Sequence, residues 1–212
     1  MTPKNRPPRP SPQRLIVGIS GASGAILGVR LLEALRALGI ETHLVMSKAA
    51  EQTLAFETDW KGGAVRKLAS RTYHINDVSA PIASGSFRTL GMIVMPCSVK
   101  TMSEIATGVS ANLLTRAADV VLKERRKLVL EVRESPLHAI HLRNMATLAE
   151  MGAIIAPPMP GFYSRPRNIA ELVDHTVGRT LDLFDLEAGL VKRWRESESA
   201  AFAAVARDTR ED

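Results

Sequence analysis

The sequence contains little cysteine and few aromatic residues, and both shortages exclude classes of function. A single cysteine, Cys97, excludes an intramolecular disulfide and any zinc site built from several thiolates, and it agrees with a reducing compartment. Aromatic residues are only 4% of the chain, which is too few for the stacking platforms that bind single-stranded nucleic acid. The net charge of +6 indicates an anionic partner, and the dispersion of the basic residues favours small phosphates over a polynucleotide.

Long apolar runs are also missing. No segment reaches the roughly 20 continuous apolar residues that cross a bilayer, and the start of the chain lacks the apolar stretch of a secretory signal. Residues 1–13 are instead rich in proline and arginine, a composition that predicts a disordered leader. We therefore expect a cytoplasmic protein that binds neither membranes nor nucleic acid.

Short apolar runs alternate with helical patterns along most of the chain. The runs predict buried parallel strands at residues 14–20, 42–46, 92–95, 128–132 and 153–156. Helical patterns follow the first two runs and recur at residues 99–106, 110–125, 136–151 and 168–184. This alternation predicts a single α/β domain over residues 14–187, with a Rossmann-like (flavodoxin-like) doubly wound parallel sheet. Residues 60–86 fit a short strand and a glycine-serine loop, and residues 188–212 fit a C-terminal helix or a tail.

The first predicted strand runs into a turn of small residues, Gly21-Ala22-Ser23-Gly24. Such a turn lets the backbone approach an anion at the N-terminus of the next helix, which indicates a nucleotide-type phosphate site. The spacing is not that of a dinucleotide, Walker or serine-hydrolase motif. The second strand also ends in Ser47 and Lys48 where a dinucleotide fold has an acid for the ribose, so NAD is disfavoured. A tight turn that binds no ligand is the alternative.

Two further strand ends carry polar side chains. The third clear strand leads into Ser98-Val99-Lys100-Thr101. Because ligands of open α/β sheets bind at the carboxyl ends of strands, this turn and the glycine turn can share one crevice. A helix N-cap by Ser98 explains the same residues equally well. Arg133 and Glu134 follow the fourth strand, and a carboxylate placed in such a crevice makes Glu134 a candidate acid/base.

Ordered blocks of the sequence match a known family at corresponding separations. They include Gly-Ala-Ser-Gly-Ala at 21–25, Pro-Cys-Ser-Val-Lys-Thr at 96–101, Asn-Leu-Leu-Thr-Arg-Ala-Ala-Asp-Val at 112–120, Arg-Glu-Ser-Pro-Leu at 133–137 and Pro-Pro-Met-Pro-Gly-Phe-Tyr at 157–163. With these blocks the chain resembles the UbiX/Pad1 flavin prenyltransferases over nearly all of residues 14–187. The resemblance implies metal-independent transfer of a dimethylallyl group from dimethylallyl phosphate to N5 and C6 of reduced FMN. It also implies a dodecamer, and a UbiD-type decarboxylase that receives the prenylated FMN.

The resemblance further implies roles for individual residues of this sequence. Those that match the family's FMN contacts are Gly21, Ala22, Ser23, Ser47, Ser98, Val99, Lys100, Thr101 and Arg133. Those that match its prenyl-phosphate contacts are Tyr163 and Arg179, joined from an adjacent subunit by Arg116 and Lys123. Ser23 and Glu134 match positions that handle protons, and Lys123 is a donor that can stabilise the departing phosphate. Phe87 is a candidate aromatic wall for the prenyl fragment.

Three positions depart from the family pattern. Val99 stands where methionine is frequent, Ala111 where aspartate is frequent and Gly161 where alanine is frequent. These departures leave the choice between a mono- and a diphosphate donor open. Two other functions also stay open on the sequence alone. One is an FMN-dependent cysteine decarboxylase of the related homo-oligomeric flavoproteins, for which His74 is the candidate residue, and the other is a flavin carrier without catalytic activity.

Overall fold

A computed structural model describes residues 13–193 of the chain. The chain divides into two compact units between Pro157 and Pro158. Residues 1–12 of the predicted leader and residues 194–212 of the predicted C-terminal segment lie outside the described residues. The predicted domain bounds, residues 14–187, stay a prediction.

The first unit contains a parallel sheet of six strands. The strands are β1 Arg14–Ile19, β2 Glu41–Met46, β3 Arg71–Tyr73, β4 Gly91–Cys97, β5 Lys127–Val132 and β6 Ile154–Ile155. Their spatial order is β3-β2-β1-β4-β5-β6, and every neighbouring pair is parallel. From β1 the chain adds β2 and β3 on one side, and it then adds β4, β5 and β6 on the other side. The boundary between β1 and β4 is therefore the topological switch point of a doubly wound sheet. The predicted fold class is confirmed.

Helices connect these strands. They are α1 Ala25–Ala37, α2 Lys48–Glu57, α3 Gly62–Arg66, α4 Val99–Ala106, α5 Leu113–Lys123 and α6 Ala139–Glu150. Two of them begin later than the helical pattern predicts because a side chain caps their N-terminus. Asn112 accepts hydrogen bonds from two N–H groups of the first turn of α5, and the His138 ring accepts one from the first turn of α6. Within residues 13–193, no helix is long and apolar enough to cross a membrane.

Close packing of α1 on the sheet fixes the geometry of the switch point. A Cβ at Gly28 would lie 2.6 Å from the Met95 carbonyl oxygen and 2.8 Å from Ile19 Cδ1. The helix therefore lies closer to the ends of β1 and β4 than a larger residue permits. Leu31 and Leu35 of the same helix are fully buried, and each such side chain stabilises the fold by about 1.5–3 kcal/mol.

The second unit is described from residue 158 to residue 193. It contains a short 3-10 turn at Phe162–Ser164 and the helix α7, Ile169–Asp182. Asn168 caps α7 by accepting a hydrogen bond from a backbone N–H of its first turn. The segment after α7 returns along the helix, since a Cβ at Gly178 would lie 2.5 Å from Val191 Cγ2.

Candidate active site

A buried serine joins the ends of β1 and β4 at the switch point. Ser20 directly follows β1, and its hydroxyl donates to the Pro96 carbonyl oxygen at 3.0 Å. The same hydroxyl accepts a hydrogen bond from the Ser98 N–H at 2.7 Å, and the side chain is almost fully buried. Ser20 therefore holds the turn after β1 and the turn after β4 together. No motif predicts this role, although a polar residue at the end of an apolar strand is a signal for such a bridge.

Replacing Ser20 by alanine is expected to lower the free energy of unfolding by about 1–3 kcal/mol, because the Ser98 N–H loses its partner and the Pro96 carbonyl oxygen keeps only the bond from the Ser20 N–H. Urea denaturation at one protein concentration measures the change. Ser79→Ala is the control, since the exposed Ser79 hydroxyl donates to Asp77 within a single loop, and we expect a change of at most about 0.5 kcal/mol. Equal stability of the two variants would show that the bridge contributes nothing.

The turns after the strands enclose a crevice at the carboxyl edge of the sheet. Its volume is about 520 Å³, within the range of ligand pockets. Residues predicted from four separate turns meet here: Gly21, Ala22, Ser47, Ser98, Val99, Lys100, Thr101, Arg133 and Glu134. The wall also contains residues that no motif predicts, among them Ile75, Asn76 and Glu104. These lie between the motifs in the sequence, and the strand order brings them to this edge.

Two helix N-termini face the crevice. Ser47 caps α2 by accepting a hydrogen bond from the Ala50 N–H at 3.0 Å, and Ser98 caps α4 by accepting one from the Thr101 N–H at 3.3 Å. The predicted N-cap role of Ser98 is confirmed, and it is compatible with ligand binding because the first turns of both helices line the crevice. Helix N-termini attract anions through their N–H groups and their dipoles. Arg133 adds a full positive charge to the same wall.

A carboxylate lies at the N-terminus of α1, where the glycine turn predicts a phosphate. Glu57, the last residue of α2, accepts hydrogen bonds from the N–H groups of Gly24 at 2.8 Å and Ala25 at 3.0 Å. The Ser23 side chain also bonds to Glu57. The structure therefore differs from the prediction, because a carboxylate already satisfies the groups that a phosphate needs at this helix end. The crevice groups that remain able to attract an anion are the first turns of α2 and α4 and the Arg133 side chain.

The negative charge of Glu57 is stabilised by its surroundings. Partial burial acts to raise the pKa of Glu57, but the hydrogen bonds from Ser23, Ala25 and Gly24 and the positive charge of Arg133 outweigh it and lower the pKa below its ordinary value. Glu57 is therefore ionised at neutral pH. A carboxylate bonded to the Ser23 hydroxyl can exchange a proton with it. No motif indicates Glu57, since its role depends on where α2 ends relative to α1.

Arg116 and Lys123 lie on α5 and do not line the crevice of the same chain. Arg116 Nη1 is 2.7 Å from Asp119 Oδ2, and Lys123 Nζ is 2.5 Å from Glu124 Oε1. Both ion pairs are partly exposed, and such pairs stabilise a fold by about 0–1 kcal/mol. Arg116 and Lys123 can therefore leave Asp119 and Glu124 and bind an anionic ligand with little loss of free energy. Their action at the site of an adjacent subunit stays a prediction.

Phe87 lies at the amino edge of the sheet, away from the crevice. The segment before β4 bonds to the start of β1, since the Leu90 N–H donates to the Arg14 carbonyl oxygen. The Phe87 ring contacts the buried His43 ring edge-on, with the ring centres 5.0 Å apart. The Arg14 guanidinium lies 4.8 Å from the centre of the Phe87 ring. Within one chain, the structure does not bring Phe87 together with the crevice residues.

The second unit carries Tyr163 and Arg179, the other predicted anion-binding residues. The Tyr163 hydroxyl is 3.0 Å from His175 Nε2, and Arg179 pairs with Asp182 at 2.8 Å. Burial lowers the pKa of His175, and the charge of Arg179 lowers it further, against the opposing effect of Asp182. The His175 ring is therefore neutral at neutral pH. No motif predicts His175, because a lone histidine in a helix carries no spacing signal.

Cys97 and His74 are the remaining candidates for reactive groups. Burial raises the pKa of the Cys97 thiol, and the nearby Glu131 raises it further, so the thiol stays protonated. His74 is exposed and lines a neighbouring cavity of about 550 Å³, not the crevice. Neither side chain therefore offers a reactive group to the crevice. Across residues 13–193, no three His, Cys, Asp or Glu side chains lie close enough together to hold a metal ion.

Comparison with known proteins identifies a family match and similar relatives. The family model described as flavoprotein matches residues 4–192. A protein of Escherichia coli K12 described as flavin prenyltransferase UbiX is 58% identical over 186 residues, which cover 86% of this chain and 98% of the relative. A flavin prenyltransferase UbiX of Thauera aromatica is 53% identical over 190 residues, covering 90% of this chain and 98% of the relative.

Solved structures agree with these relatives. AnUbiX (PadA1), in complex with FMN and dimethylallyl pyrophosphate, superposes with a TM-score of 0.85 at 54% identity and covers 86% of this chain and 97% of its own. A dodecameric FMN-dependent UbiX-like decarboxylase from Escherichia coli O157:H7 also gives a TM-score of 0.85, at 52% identity, and covers 86% of this chain and 99% of its own. The FMN-dependent cysteine decarboxylase TvaF is 17% identical with a TM-score of 0.56, a likeness that shows the fold alone.

Proposed function

The chain belongs to the UbiX-type flavin prenyltransferases of the flavoprotein family, and from that membership we propose its reaction. A dimethylallyl group passes from dimethylallyl phosphate to N5 and C6 of reduced FMN, and a UbiD-type decarboxylase uses the prenylated FMN. The observation that carries the proposal is the crevice at the switch point. There, Arg133, Glu134 and two helix N-termini meet beside the bonded pair of Ser23 and Glu57.

The residues of the crevice fit FMN. Ile75, Val99 and Leu114 offer apolar contacts to an isoalloxazine ring in a space of about 520 Å³. The first turns of α2 and α4, with Arg133, supply hydrogen-bond donors and positive charge for a phosphate. When bound and reduced, the flavin supplies the nucleophilic atoms to which the prenyl group is attached.

Basic residues and a tyrosine account for departure of the donor phosphate. Negative charge develops on the phosphate as its bond to the allylic carbon breaks, and Arg, Lys and Tyr donors stabilise that charge without a metal. We assign this role to Tyr163 and Arg179, with Arg116 and Lys123 contributed by an adjacent subunit. The chemistry of these side chains and their match to the family pattern support the assignment.

Two carboxylates are assigned to proton transfer. Glu134 lines the crevice, with its carboxylate bonded to the Ser135 N–H at 2.9 Å, and we assign it to accept the proton that leaves C6 when the second bond forms. Ser23 and the ionised Glu57 form a second proton carrier near Arg133, which would take up the proton that N5 loses and return a proton to the prenyl double bond that ring closure onto C6 consumes. The two carriers differ in their surroundings, since Glu57 is held by several donors while Glu134 is exposed.

We propose that the chain acts as a homo-oligomer, as a dodecamer like the solved Escherichia coli relative. Large apolar side chains are exposed on the helices of the first unit, namely Phe56 at 91%, Ile140 at 60% and Leu142 at 53%. Large apolar side chains that are exposed to solvent can belong to a surface that a partner covers, and these three support the proposal. A cytoplasmic location completes the proposal, and the free, buried Cys97 supports it.

The direct test is anaerobic incubation of the full-length protein with reduced FMN and dimethylallyl phosphate, followed by mass spectrometry of the flavin. We expect prenylated FMN, and a parallel incubation with the diphosphate identifies the preferred donor. Bound FMN without any adduct would favour a flavin carrier. Release of carbon dioxide from a peptidyl cysteine would favour a cysteine decarboxylase instead.

Enlarging Gly21 is expected to impair FMN binding. A Cβ at Gly21 would lie 2.3 Å from Ala49 Cβ and 3.2 Å from the Ala49 carbonyl carbon, so Gly21→Ala must push the glycine turn and α2 apart. Overpacking of this kind costs about 1–3 kcal/mol, and we expect the FMN affinity to fall about 10-fold or more. Quenching of flavin fluorescence on titration measures this affinity.

Gly63→Ala is the control for this substitution. Gly63 lies in α3 with nothing within 4 Å of its Cβ position, so alanine fits there and stabilises the helix by about 0.5–1 kcal/mol. FMN affinity should stay at the wild-type value in this variant. Wild-type affinity in Gly21→Ala as well would mean that the close approach of the turn to α2 does not shape the FMN site.

A further inference from the structure

A histidine and a tyrosine of the second unit share a hydrogen bond. The position of the proton on one side chain therefore determines where the proton of the other can point. The Tyr163 hydroxyl lies 3.0 Å from His175 Nε2, and the two rings meet edge-on with centres 5.4 Å apart. His175 is 7% exposed, whereas Tyr163 is 47% exposed. Gly161 makes room for this contact, since a Cβ there would lie 2.8 Å from His175 Cε1. The histidine is thus the buried member of the pair.

The number of protons decides which group donates. A phenol hydroxyl carries one proton, and the oxygens of a phosphate mainly accept hydrogen bonds. If Tyr163 donates to His175, it has no proton left for a phosphate. Tyr163 can donate to a phosphate only when His175 donates its Nε2–H to the phenol oxygen. A neutral imidazole has one N–H group, so Nδ1 is then unprotonated.

The surroundings of His175 favour this neutral form. Burial lowers the pKa of His175, and Arg179, one turn further along α7, lowers it further. Asp182 opposes them, and its carboxylate pairs with Arg179 and Arg193. A buried, neutral ring holds a fixed orientation and therefore fixes the oxygen that it contacts.

We propose that His175 is a positioning residue that donates its Nε2–H to the Tyr163 oxygen and so directs the Tyr163 proton to the phosphate of the prenyl donor. The inference rests on the proposed function, because it takes Tyr163 to be a donor-phosphate contact. His175 acts through Tyr163 and has no contact of its own with the substrate in this scheme. Removing the histidine therefore weakens donor binding through the tyrosine and in no other way.

A double-mutant cycle tests the dependence on Tyr163. Steady-state kinetics with saturating reduced FMN are measured for His175→Phe, Tyr163→Phe and the double variant. We expect each single variant to raise the KM for dimethylallyl phosphate about 10-fold with a smaller change in kcat, and the double variant to equal Tyr163→Phe. The proposal would be overturned if His175→Phe raised the KM by the same factor in the wild type and in Tyr163→Phe. Such additivity indicates that His175 acts on structure and not through Tyr163.

His175→Gln is the conservative variant of this series. The glutamine amide can place an N–H near the position of the imidazole Nε2. We expect a KM within about 3-fold of the wild type, because the hydrogen bond to the Tyr163 oxygen is retained. A KM as high as that of His175→Phe would contradict the assigned direction of the hydrogen bond.

Nitrogen NMR of the full-length protein labelled at histidine gives a readout that does not depend on turnover. Solid-state spectra of the sedimented protein should show His175 with a protonated Nε2 and an unprotonated Nδ1, and the signal is assigned by its loss in His175→Gln. The opposite tautomer, or a doubly protonated ring, overturns the inference. Absence of prenylated FMN from the wild type is a separate result, since it refutes the proposed function whatever the tautomer.

Discussion

Glu57→Gln is expected to slow prenyl transfer by about 10²–10⁴-fold, the usual loss when a group that transfers protons is removed. The substitution keeps an oxygen that can accept the N–H bonds of Gly24 and Ala25, so α1 retains part of its cap. It removes the negative charge beside Ser23 and Arg133, and with it the ability to take up a proton. Single-turnover kinetics under anaerobic conditions, at saturating reduced FMN and dimethylallyl phosphate, measure the effect.

Glu51→Gln is the control for loss of a negative charge on the same helix. Glu51 pairs with Arg66 at the protein surface, and such pairs contribute little. We expect its single-turnover rate to stay within about 2-fold of the wild type. A wild-type rate in Glu57→Gln as well would reduce Glu57 to a helix cap without a part in the chemistry.

The same substitution should also change how stability depends on pH. The pKa of Glu57 in the folded protein lies below the ordinary value of 4.5, so its ionised form is favoured by folding. This stabilisation is fully present above the ordinary pKa and is lost as the pH falls through the lowered pKa of the folded state. Urea midpoints of the wild type and Glu57→Gln should therefore converge on acidification. A constant difference across that range would contradict the assignment.

The parallel sheet and its crevice are predictable because they depend on local patterns. Short apolar runs mark β1, β2, β4 and β5, and each is followed by the polar or glycine-rich turn that identifies a strand end. Because the carboxyl ends of parallel strands meet at one edge, Ser47, Ser98 and Arg133 could be placed together without knowledge of any contact. For the exposed three-residue strand β3, the sequence predicts only a short strand without bounds within residues 60–86, because β3 lacks an apolar pattern.

The residues that the sequence does not predict owe their roles to tertiary geometry. Glu57 reaches Ser23 because α2 ends beside the start of α1, and the distance between the two residues in the sequence gives no sign of it. Ser20 bridges β1 and β4, which are far apart in the sequence and become neighbours because the strand order switches between them. Phe87 is the opposite case. Its aromatic ring is suitable as a wall for the prenyl fragment, but within one chain it lies at the amino edge of the sheet, opposite the crevice. Residue type predicts possible chemistry, and strand order decides which residues can share a site.

Glu134→Gln should reduce turnover by about 10²-fold or more while leaving FMN bound. Glu134 follows β5 at the crevice, where it accepts a hydrogen bond from the adjacent Ser135 N–H. A glutamine keeps this bond and the shape of the wall, so the affinity for FMN should stay within about 2-fold of the wild type. Turnover is measured by mass spectrometry of the flavin, and FMN affinity by fluorescence quenching.

Glu150→Gln provides the comparison, because Glu150 is an exposed carboxylate at the end of α6, and its loss should leave both turnover and FMN binding unchanged. A loss of FMN binding in Glu134→Gln would assign Glu134 to the binding of the flavin. Unchanged turnover would remove Glu134 from the mechanism. The proton of C6 would then have to leave through Ser23 and Glu57, and the loss of rate in Glu57→Gln would account for both transfers.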